Sequence, residues 1–243
     1  MANRFGSFIK KKIPGKYNNL ISLNEPYEVM VQLLRNSCVT GILDAGASNG
    51  HRSKRLLKRF PSAQAYAFEP NPLYTEVLGQ YARKDARFHP QLLGLSDHAG
   101  DADLYLTESP GNTSLYCPGP FLQAIDQEGA LVRKIEKIKI TTIDEWIKEN
   151  GSPEIQLIKL DIQGGELRAL RGATETLSNS VLLVYTEILF NPLYNNGALY
   201  SQIDLCLREH EFILYDIYRP KYNSDRLIMW GSAIFVHTAR LGM

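Results

Sequence analysis

The chain has 243 residues, of which 44% are hydrophobic and 22% charged, a balance typical of a globular domain large enough to bury its own core. Its 27 basic residues nearly equal its 26 acidic residues, so no overall field attracts it to nucleic acid or to anionic lipid. The three cysteines are far apart and the five histidines are scattered, which argues against a disulfide framework and against a structural zinc site.

The first part of the chain carries a short basic run, which is most simply explained as a solvated tail (Lys10, Lys11, Lys12 and Lys16). It lacks the apolar core of a signal peptide, and no stretch approaches the ~20 apolar residues needed to cross a bilayer. We therefore expect a cytoplasmic protein without stable membrane insertion, with an N-terminal extension over 1–40 and one domain over 41–243. Whether the extension covers the site or makes the contact of a homodimer stays open.

Short apolar runs alternate with helical stretches along the rest of the chain. In chain order, the predicted elements are a strand at 41–46, a helix at 50–60, a strand at 63–70, a helix at 72–83, strands at 86–97 and 102–108, a loop at 108–132, a strand at 134–142, a helix at 142–151, a strand at 155–162, a helix at 165–178, a strand at 181–188, a helix at 197–210, and strands at 212–218 and 230–237. This α/β alternation predicts a mainly parallel sheet with helices on both faces, whose ligand lies at the carboxyl ends of the strands.

The turn after the first predicted strand reads DAGASNG and begins at Asp44. Its glycines and small residues let a ligand approach the backbone closely before a helix begins. The pattern is not the G-x-G-x-x-G of dinucleotide sites, and a nearby carboxylate suits a cationic ligand such as S-adenosylmethionine. A tight strand-to-helix turn without a ligand is the alternative. The candidate cofactor-binding residues of this turn are Asp44, Gly46, Ala47, Ser48, Asn49 and Gly50.

The next two predicted strands also end in polar residues. The second ends in Glu69, Pro70 and Asn71, and a carboxylate at this place accepts hydrogen bonds from ribose hydroxyls in nucleotide-binding α/β folds. The third ends in Ser96 and Asp97, where Asp97 would accept from the amine of an adenine or would simply form a turn. Together the three strand ends predict a site for an adenosine-bearing cofactor.

These segments also carry a family resemblance. The series LDAGASNG, AFEPNP, GLSD, ITTIDEW, IKLDIQGGELRALRGA and YTEI resembles the FkbM-type S-adenosylmethionine-dependent methyltransferases over roughly residues 40–218. The resemblance implies a Rossmann-like class I methyltransferase fold with a seven-stranded sheet. It also implies methyl transfer to hydroxyl oxygens of small-molecule or glycan acceptors such as sugars, glycolipids and natural products. Gly165 departs mildly from the family, which usually has a small residue such as alanine there.

The stretch IKLDIQGGE places charged residues in a strand that is otherwise apolar. Period two puts Lys159 and Asp161 on one face near its carboxyl end, and Glu187 at the end of the next strand would lie beside them. We expect Asp161 or Glu187 to accept the proton of the acceptor hydroxyl, and Asp161 to border the cofactor as well. Lys159 would pair with these carboxylates or stabilise a developing alkoxide. Glu166 is either a helix-capping acid or a further catalytic group.

Three alternatives accompany this interpretation. Asp161, Glu166 and Glu187 would suit a divalent cation that chelates a vicinal diol of a sugar, although Lys159 opposes a cation there. A nicotinamide-dependent oxidoreductase has a similar strand-to-helix turn, and a non-catalytic interaction module would keep only the fold.

The segment NTSLY at 112–116 is expected to cover the acceptor, and three loop residues are candidate acceptor contacts: Tyr194, Asn195 and Asn196.

Overall fold

The computed structural model describes residues 25–243, so the predicted basic run lies outside the described residues. Within this range the elements are, in chain order, α1 (Pro26–Leu33), β1 (Gly41–Ala45), α2 (His51–Arg59), β2 (Gln64–Phe68), α3 (Thr75–Ala82), β3 (Phe88–Gln91), β4 (Gly94–Leu95), β5 (Gly100–Thr107), α4 (Pro120–Ile125), β6 (Val132–Thr141), α5 (Ile143–Glu149), β7 (Leu157–Leu160), α6 (Glu166–Arg171), α7 (Thr174–Asn179), β8 (Leu183–Leu189), α8 (Tyr200–Glu209), β9 (Phe212–Tyr222), β10 (Ile228–His237) and α9 (Thr238–Leu241).

Seven of the strands form one sheet in the order β3-β2-β1-β7-β8-β10-β9. Strand β10 is antiparallel to both of its neighbours, and the other neighbouring pairs are parallel. The prediction of a mainly parallel, seven-stranded sheet is therefore confirmed. The chain runs outward from β1 through β2 to β3 and later returns to β7 on the other side of β1. This reversal of strand order places a ligand site at the carboxyl ends of β1 and β7.

Both faces of the sheet are covered by helices, as predicted. One apolar cluster packs α5 to α8 against the sheet and contains Trp146 and Leu170. The other packs α1 to α3 against the opposite face and contains Met30 and Leu56, both inaccessible to solvent. Helix α1 precedes the predicted domain boundary at residue 41, so this part of the predicted extension belongs to the core.

A second, three-stranded sheet has the order β4-β6-β5 and stands beside the carboxyl ends of the main sheet. The strand predicted at 86–97 is divided between the two sheets, since β3 pairs with β2 and β4 pairs with β6. Pro90 is compatible with β3 because β3 is the edge strand, where a missing N–H disrupts no further pairing. The strand predicted at 134–142 is found as β6, but in this second sheet.

Two other boundaries differ from the predictions. The predicted loop at 108–132 contains α4, which begins at Pro120, a residue suited to a first helical turn. The helix predicted at 165–178 is interrupted at Gly172, where a Cβ atom would lie 2.2 Å from the carbonyl oxygen of Ser96. The backbone there packs directly against the chain after β4, which explains the glycine.

None of the helices within residues 25–243 is long and apolar enough to cross a membrane.

Candidate active site

A cavity of about 490 Å³ opens at the carboxyl ends of β1, β2, β7 and β8, between the two sheets. Its volume is that of a typical small-molecule or cofactor site. The second sheet and the segments next to its strands supply the facing wall, which includes Leu104 of β5 and Leu93, directly before β4. Eight of the predicted site residues line the cavity together: Gly46, Ala47, Ser48, Asn49, Glu69, Pro70, Asp161 and Glu187.

The backbone of the turn after β1 is left-handed at three residues, of which only the two glycines favour this conformation. Gly46, Ser48 and Gly50 all have positive φ angles, of 71°, 52° and 77°. A Cβ atom on Gly46 would lie 1.9 Å from the carbonyl oxygen of Asp161, so only glycine allows this turn to approach the loop after β7. Gly50 begins the turn into α2 and lies outside the cavity lining.

Glu69 follows β2 and is only 8% exposed. Its two carboxylate oxygens accept hydrogen bonds from the backbone N–H groups of Ser48, at 2.8 Å, and Asn71, at 2.9 Å. Burial raises the pKa of this carboxyl group. Each oxygen keeps a second acceptor position, and the pair suits two neighbouring hydroxyl groups such as those of a ribose. Asn71 lies behind Glu69 and fixes the turn by accepting from Leu73 N–H.

Asp44 and Lys159 form a buried ion pair instead of facing the cavity. The Nζ atom of Lys159 lies 2.8 Å from Oδ1 of Asp44 and donates to the carbonyl oxygens of Ala45, at 3.0 Å, and Gly46, at 2.9 Å. Asp44 is also held by the hydroxyl of Ser53. The predicted pairing of Lys159 with Asp161 and Glu187 is thus wrong. Asp44 and Lys159 are register partners on adjacent strands, which brings their side chains together.

Asp161 pairs with Arg52, a residue that the sequence analysis did not identify. One carboxylate oxygen of Asp161 contacts the guanidinium of Arg52, and the other accepts from the side-chain amide of Gln163 at 2.8 Å. The negative charge of Asp161 raises the pKa of Arg52, which keeps the guanidinium protonated. The only sequence indication of Arg52 is its place in the first turn of α2, directly after the glycine-containing turn.

The loop after β7 is fixed by contacts from two distant segments. The hydroxyl of Tyr194 donates to the side-chain oxygen of Gln163 at 2.7 Å. The hydroxyl of Ser114 donates to the backbone oxygen of Gln163, also at 2.7 Å. Ser114 belongs to the predicted cover NTSLY, part of which lines the cavity. Tyr194 is buried, whereas Asn195 and Asn196 are exposed outside the cavity lining. The structure therefore does not place these three residues as acceptor contacts.

Glu166 is fully buried and points at the backbone of this loop. Its carboxylate oxygens accept from the N–H groups of Ile162, at 2.8 Å, and Gly164, at 2.9 Å. Burial outweighs these hydrogen bonds and raises the pKa of Glu166 to about 7. Because both oxygens are engaged in this way, Glu166 does not join Asp161 and Glu187 in a metal site. Within residues 25–243, no group of three His, Cys, Asp or Glu side chains is placed to hold a metal ion.

Glu187 lies at the carboxyl end of β8 and lines the cavity. Its Oε2 atom is buried and has no hydrogen-bond partner among the described residues. Burial, followed by the negative charges of Asp161 and Glu166, raises the pKa of Glu187 well above its ordinary value. An unpartnered carboxylate in a cavity wall, with a raised affinity for protons, is the arrangement expected of a general base.

Ser96 and Asp97 lie outside the cavity lining, contrary to the prediction that they contact an adenine there. Asp97 instead interacts with His98, at 2.8 Å, and more distantly with Arg168, at 3.9 Å. The physical reason is that the chain leaves the main sheet after β3 and enters the second sheet through β4. The residues that reach the cavity are the preceding ones, at 93–95.

Comparisons with known proteins agree with this architecture. The model of the family described as "Methyltransferase FkbM domain" matches residues 44–214. The chain is 30% identical over 158 residues to the 2-O-methyltransferase NoeI of Sinorhizobium fredii, covering 63% of this chain and 65% of that protein. It is 26% identical to the hexuronic acid methyltransferase AglP of Haloferax volcanii, covering 63% and 61%. The matches thus span less than two thirds of the length of these two relatives.

Among solved structures, the chain is similar to the methyltransferase FkbM from Methylobacillus flagellatus, with a TM-score of 0.54 and 16% identity. This similarity covers 88% of the present chain and 48% of the other, and it concerns the fold. The family match extends over more than half of the sequence, including the turn after β1, Glu69, the loop after β7 and Glu187. The chain therefore belongs to the FkbM methyltransferase domain family.

Proposed function

We propose that this protein is an S-adenosylmethionine-dependent O-methyltransferase that acts on a hydroxyl group of a sugar, glycan or natural product. The observation that carries the proposal is the unpartnered carboxylate of Glu187, which lines the same cavity as Glu69 and the turn after β1. Membership of a methyltransferase family supports it. Two relatives, a 2-O-methyltransferase and a hexuronic acid methyltransferase, support oxygen as the methylated atom and a sugar as the acceptor.

The cavity residues match the parts of the proposed cofactor. When bound, S-adenosylmethionine supplies a methyl group on a sulfonium, which is already a good leaving group. Glu69 would accept from the ribose hydroxyls, and Phe68 and Leu93 provide an apolar wall for the base. The backbone at 46–49 would border the methionine part. Asp161 places a negative charge on the wall that a cationic cofactor would contact.

Glu187 is the better candidate for the base that accepts the acceptor's proton. Both oxygens of Asp161 already interact, one with Arg52 and the other with Gln163. Glu187 has a free oxygen and a raised pKa, so its carboxylate is the stronger base. Lys159 then acts indirectly, by holding the turn after β1 through Asp44 and two backbone carbonyls.

Calorimetric titration separates this proposal from the alternatives. S-adenosylmethionine and S-adenosylhomocysteine should bind, and NAD should not. Binding of NAD without binding of S-adenosylhomocysteine would instead favour an oxidoreductase. Activity that is lost on exhaustive treatment with EDTA and restored by magnesium would favour the metal-assisted version.

Glu187→Gln tests the assignment of the base. The variant should bind S-adenosylhomocysteine as tightly as wild type while methyl transfer falls by at least about a hundredfold, a typical contribution of general-base catalysis. Transfer is measured by mass spectrometry on a panel of sugars, glycans and natural products. Glu149→Gln, at an exposed position of α5, is the matched control. Near-normal transfer by Glu187→Gln would show that another group removes the proton. A cytoplasmic location stays a prediction from the sequence.

A further inference from the structure

A second cavity, of about 230 Å³, lies next to the candidate active site. It is bordered by α1, α2 and the β9–β10 hairpin, and it shares four lining residues with the main cavity: His51, Arg52, Asp161 and Glu187. An acceptor whose hydroxyl lies at Glu187 would therefore extend its other substituents into this space. The inference below rests on the proposed function, because it treats Glu187 as the point that the acceptor's hydroxyl reaches.

The second cavity is rich in positive charge. Five cationic side chains line it: Arg52, Arg55, Lys159, Arg219 and Lys221. Lys159 is paired with Asp44. Arg52 is paired with Asp161, whereas Arg55, at 3.0 Å, and Arg219, at 3.8 Å, share the single carboxylate of Glu25. Lys221 forms no ion pair within residues 25–243. The five cationic groups therefore outnumber the four carboxylates beside them, which are Glu25, Asp44, Asp161 and Glu187. The cavity thus favours a negatively charged occupant.

The backbone of β9 is distorted at the residue that carries one of these charges. Tyr218 pairs with Ser232 and Lys221 pairs with Trp230, so Arg219 and Pro220 together oppose the single residue Gly231. Arg219 has a φ of 52°, an unfavourable angle for a residue with a side chain. Such bulges redirect side chains and are frequent beside functional sites. Here the bulge accompanies the placement of the Arg219 guanidinium at the cavity.

Aromatic side chains complete the wall. Trp230 and Tyr185 both line the second cavity, and Trp230 is partly exposed. A flat apolar surface beside cationic donors suits a ring that carries an anionic group. We propose that this cavity binds an anionic substituent of the methyl acceptor, a carboxylate or a phosphate, through Arg219 and Lys221. The acceptor is then an acidic or phosphorylated sugar or a natural product with an equivalent group.

Binding of defined probes tests the proposal without turnover. The chain has two tryptophans, and Trp146 is buried in the core, so a ligand in the second cavity changes the fluorescence of Trp230. We expect D-glucuronate, D-glucose 6-phosphate or both to bind the full-length protein at least about tenfold more tightly than D-glucose. The more tightly bound of the two shows whether the group is a carboxylate or a phosphate. Equal affinity for glucose and for both anions would overturn the proposal.

Two variants assign the contacts. Arg219→Gln and Lys221→Gln should each weaken binding of the anionic probe at least about tenfold and leave glucose binding unchanged. Lys221 is exposed, so its variant should fold even if the bulge at Arg219 does not tolerate substitution. Lys148→Gln, on the exposed face of α5, is the control for a lost charge. Unchanged anion binding in Lys221→Gln and Arg219→Gln would refute the assignment. Since no methyl transfer is measured, failure of transfer to every acceptor would count against the proposed function only.

Discussion

Lys159 illustrates how a single residue links two strands at the site. Its ammonium group joins β7 to β1 by contacting Asp44 and the two carbonyl oxygens at the start of the glycine-containing turn. Both charged side chains are almost inaccessible to solvent. The desolvation of such a pair is tolerable only while each charge has its partner.

Lys159→Met should therefore destabilise the fold as well as the site. The change leaves the carboxylate of Asp44 buried without its counter-charge, and we expect the free energy of unfolding to fall by about 3–5 kcal/mol. Urea denaturation measures the effect. The double variant Asp44→Leu, Lys159→Met should recover a large part of the loss, since it removes both charges. Wild-type stability in the single variant would contradict the role given to this pair.

Glu69 is the residue whose replacement tests the cofactor end of the cavity. In Glu69→Gln, one of the two oxygens that accept from Ser48 and Asn71 becomes an amide donor and can no longer accept. We expect the Kd for S-adenosylhomocysteine to rise at least about tenfold, the effect of losing one hydrogen bond to a charged group. Calorimetry provides the measurement, with Glu149→Gln as control. An unchanged Kd would remove Glu69 from the cofactor site.

At the level of elements, the loop after β7 depends on segments far away in the sequence. Tyr194, from the connection between β8 and α8, contacts Gln163, which in turn contacts Asp161. Ser114, from the segment before α4, contacts the backbone of the same loop. The order of this loop, and with it the orientation of Asp161, is thus a property of the assembled domain.

Tyr194→Phe removes only the hydroxyl that holds Gln163. We expect a loss of about 0.5–1.5 kcal/mol in the free energy of unfolding, and a severalfold fall in kcat/KM because Asp161 is less firmly oriented. Urea denaturation and methyl-transfer rates give the two values. Tyr200→Phe makes the same change in the first turn of α8, outside the cavity lining, and should alter neither. If kcat/KM were unchanged in Tyr194→Phe, the contact would be dispensable for the orientation of Asp161.

For the whole molecule, Glu166 couples folding to pH. The pKa of Glu166 is about 7 in the folded protein, against an ordinary value of 4.5. Between pH 4.5 and about pH 7, the folded state therefore keeps a proton on Glu166 that the unfolded state has released. The stability that this group contributes is complete below about pH 4.5 and is lost as the pH rises through about 7.

Urea denaturation of wild type and Glu166→Gln between pH 4 and about pH 8 should show this effect. Glutamine does not titrate, so the stability of wild type relative to the variant should decrease as the pH rises. Because the negative charge of Glu166 also raises the pKa of Glu187, the same comparison is made in the Glu187→Gln background, which isolates the contribution of Glu166. Parallel stability curves would mean that Glu166 is already ionised at the acid end of the range.

The sequence by itself determined the fold class and the strand ends of the site. Short apolar runs indicate strands, and apolar residues repeated at the helical period indicate helices. In a parallel sheet the carboxyl ends of the strands meet at one edge. Glu69 lies near the end of the strand predicted at 63–70 and Glu187 near the end of the strand predicted at 181–188, so the sequence predicts both at the ligand site. Both line the cavity in the structure. The family was identified in the same way, from the order and spacing of these segments, and is confirmed.

The tertiary structure alone decided how the charged residues pair. Lys159 faces Asp44 because β1 and β7 pair in a particular register, which is a long-range property absent from local patterns. Ser96 and Asp97 miss the cavity because the chain enters a second sheet after β3. Arg52 reaches Asp161 because α2 packs against β1, the strand that pairs with β7. Which carboxylate keeps a free oxygen in the cavity follows from these three-dimensional contacts, because they engage both oxygens of Asp161 and leave Oε2 of Glu187 without a partner among the described residues.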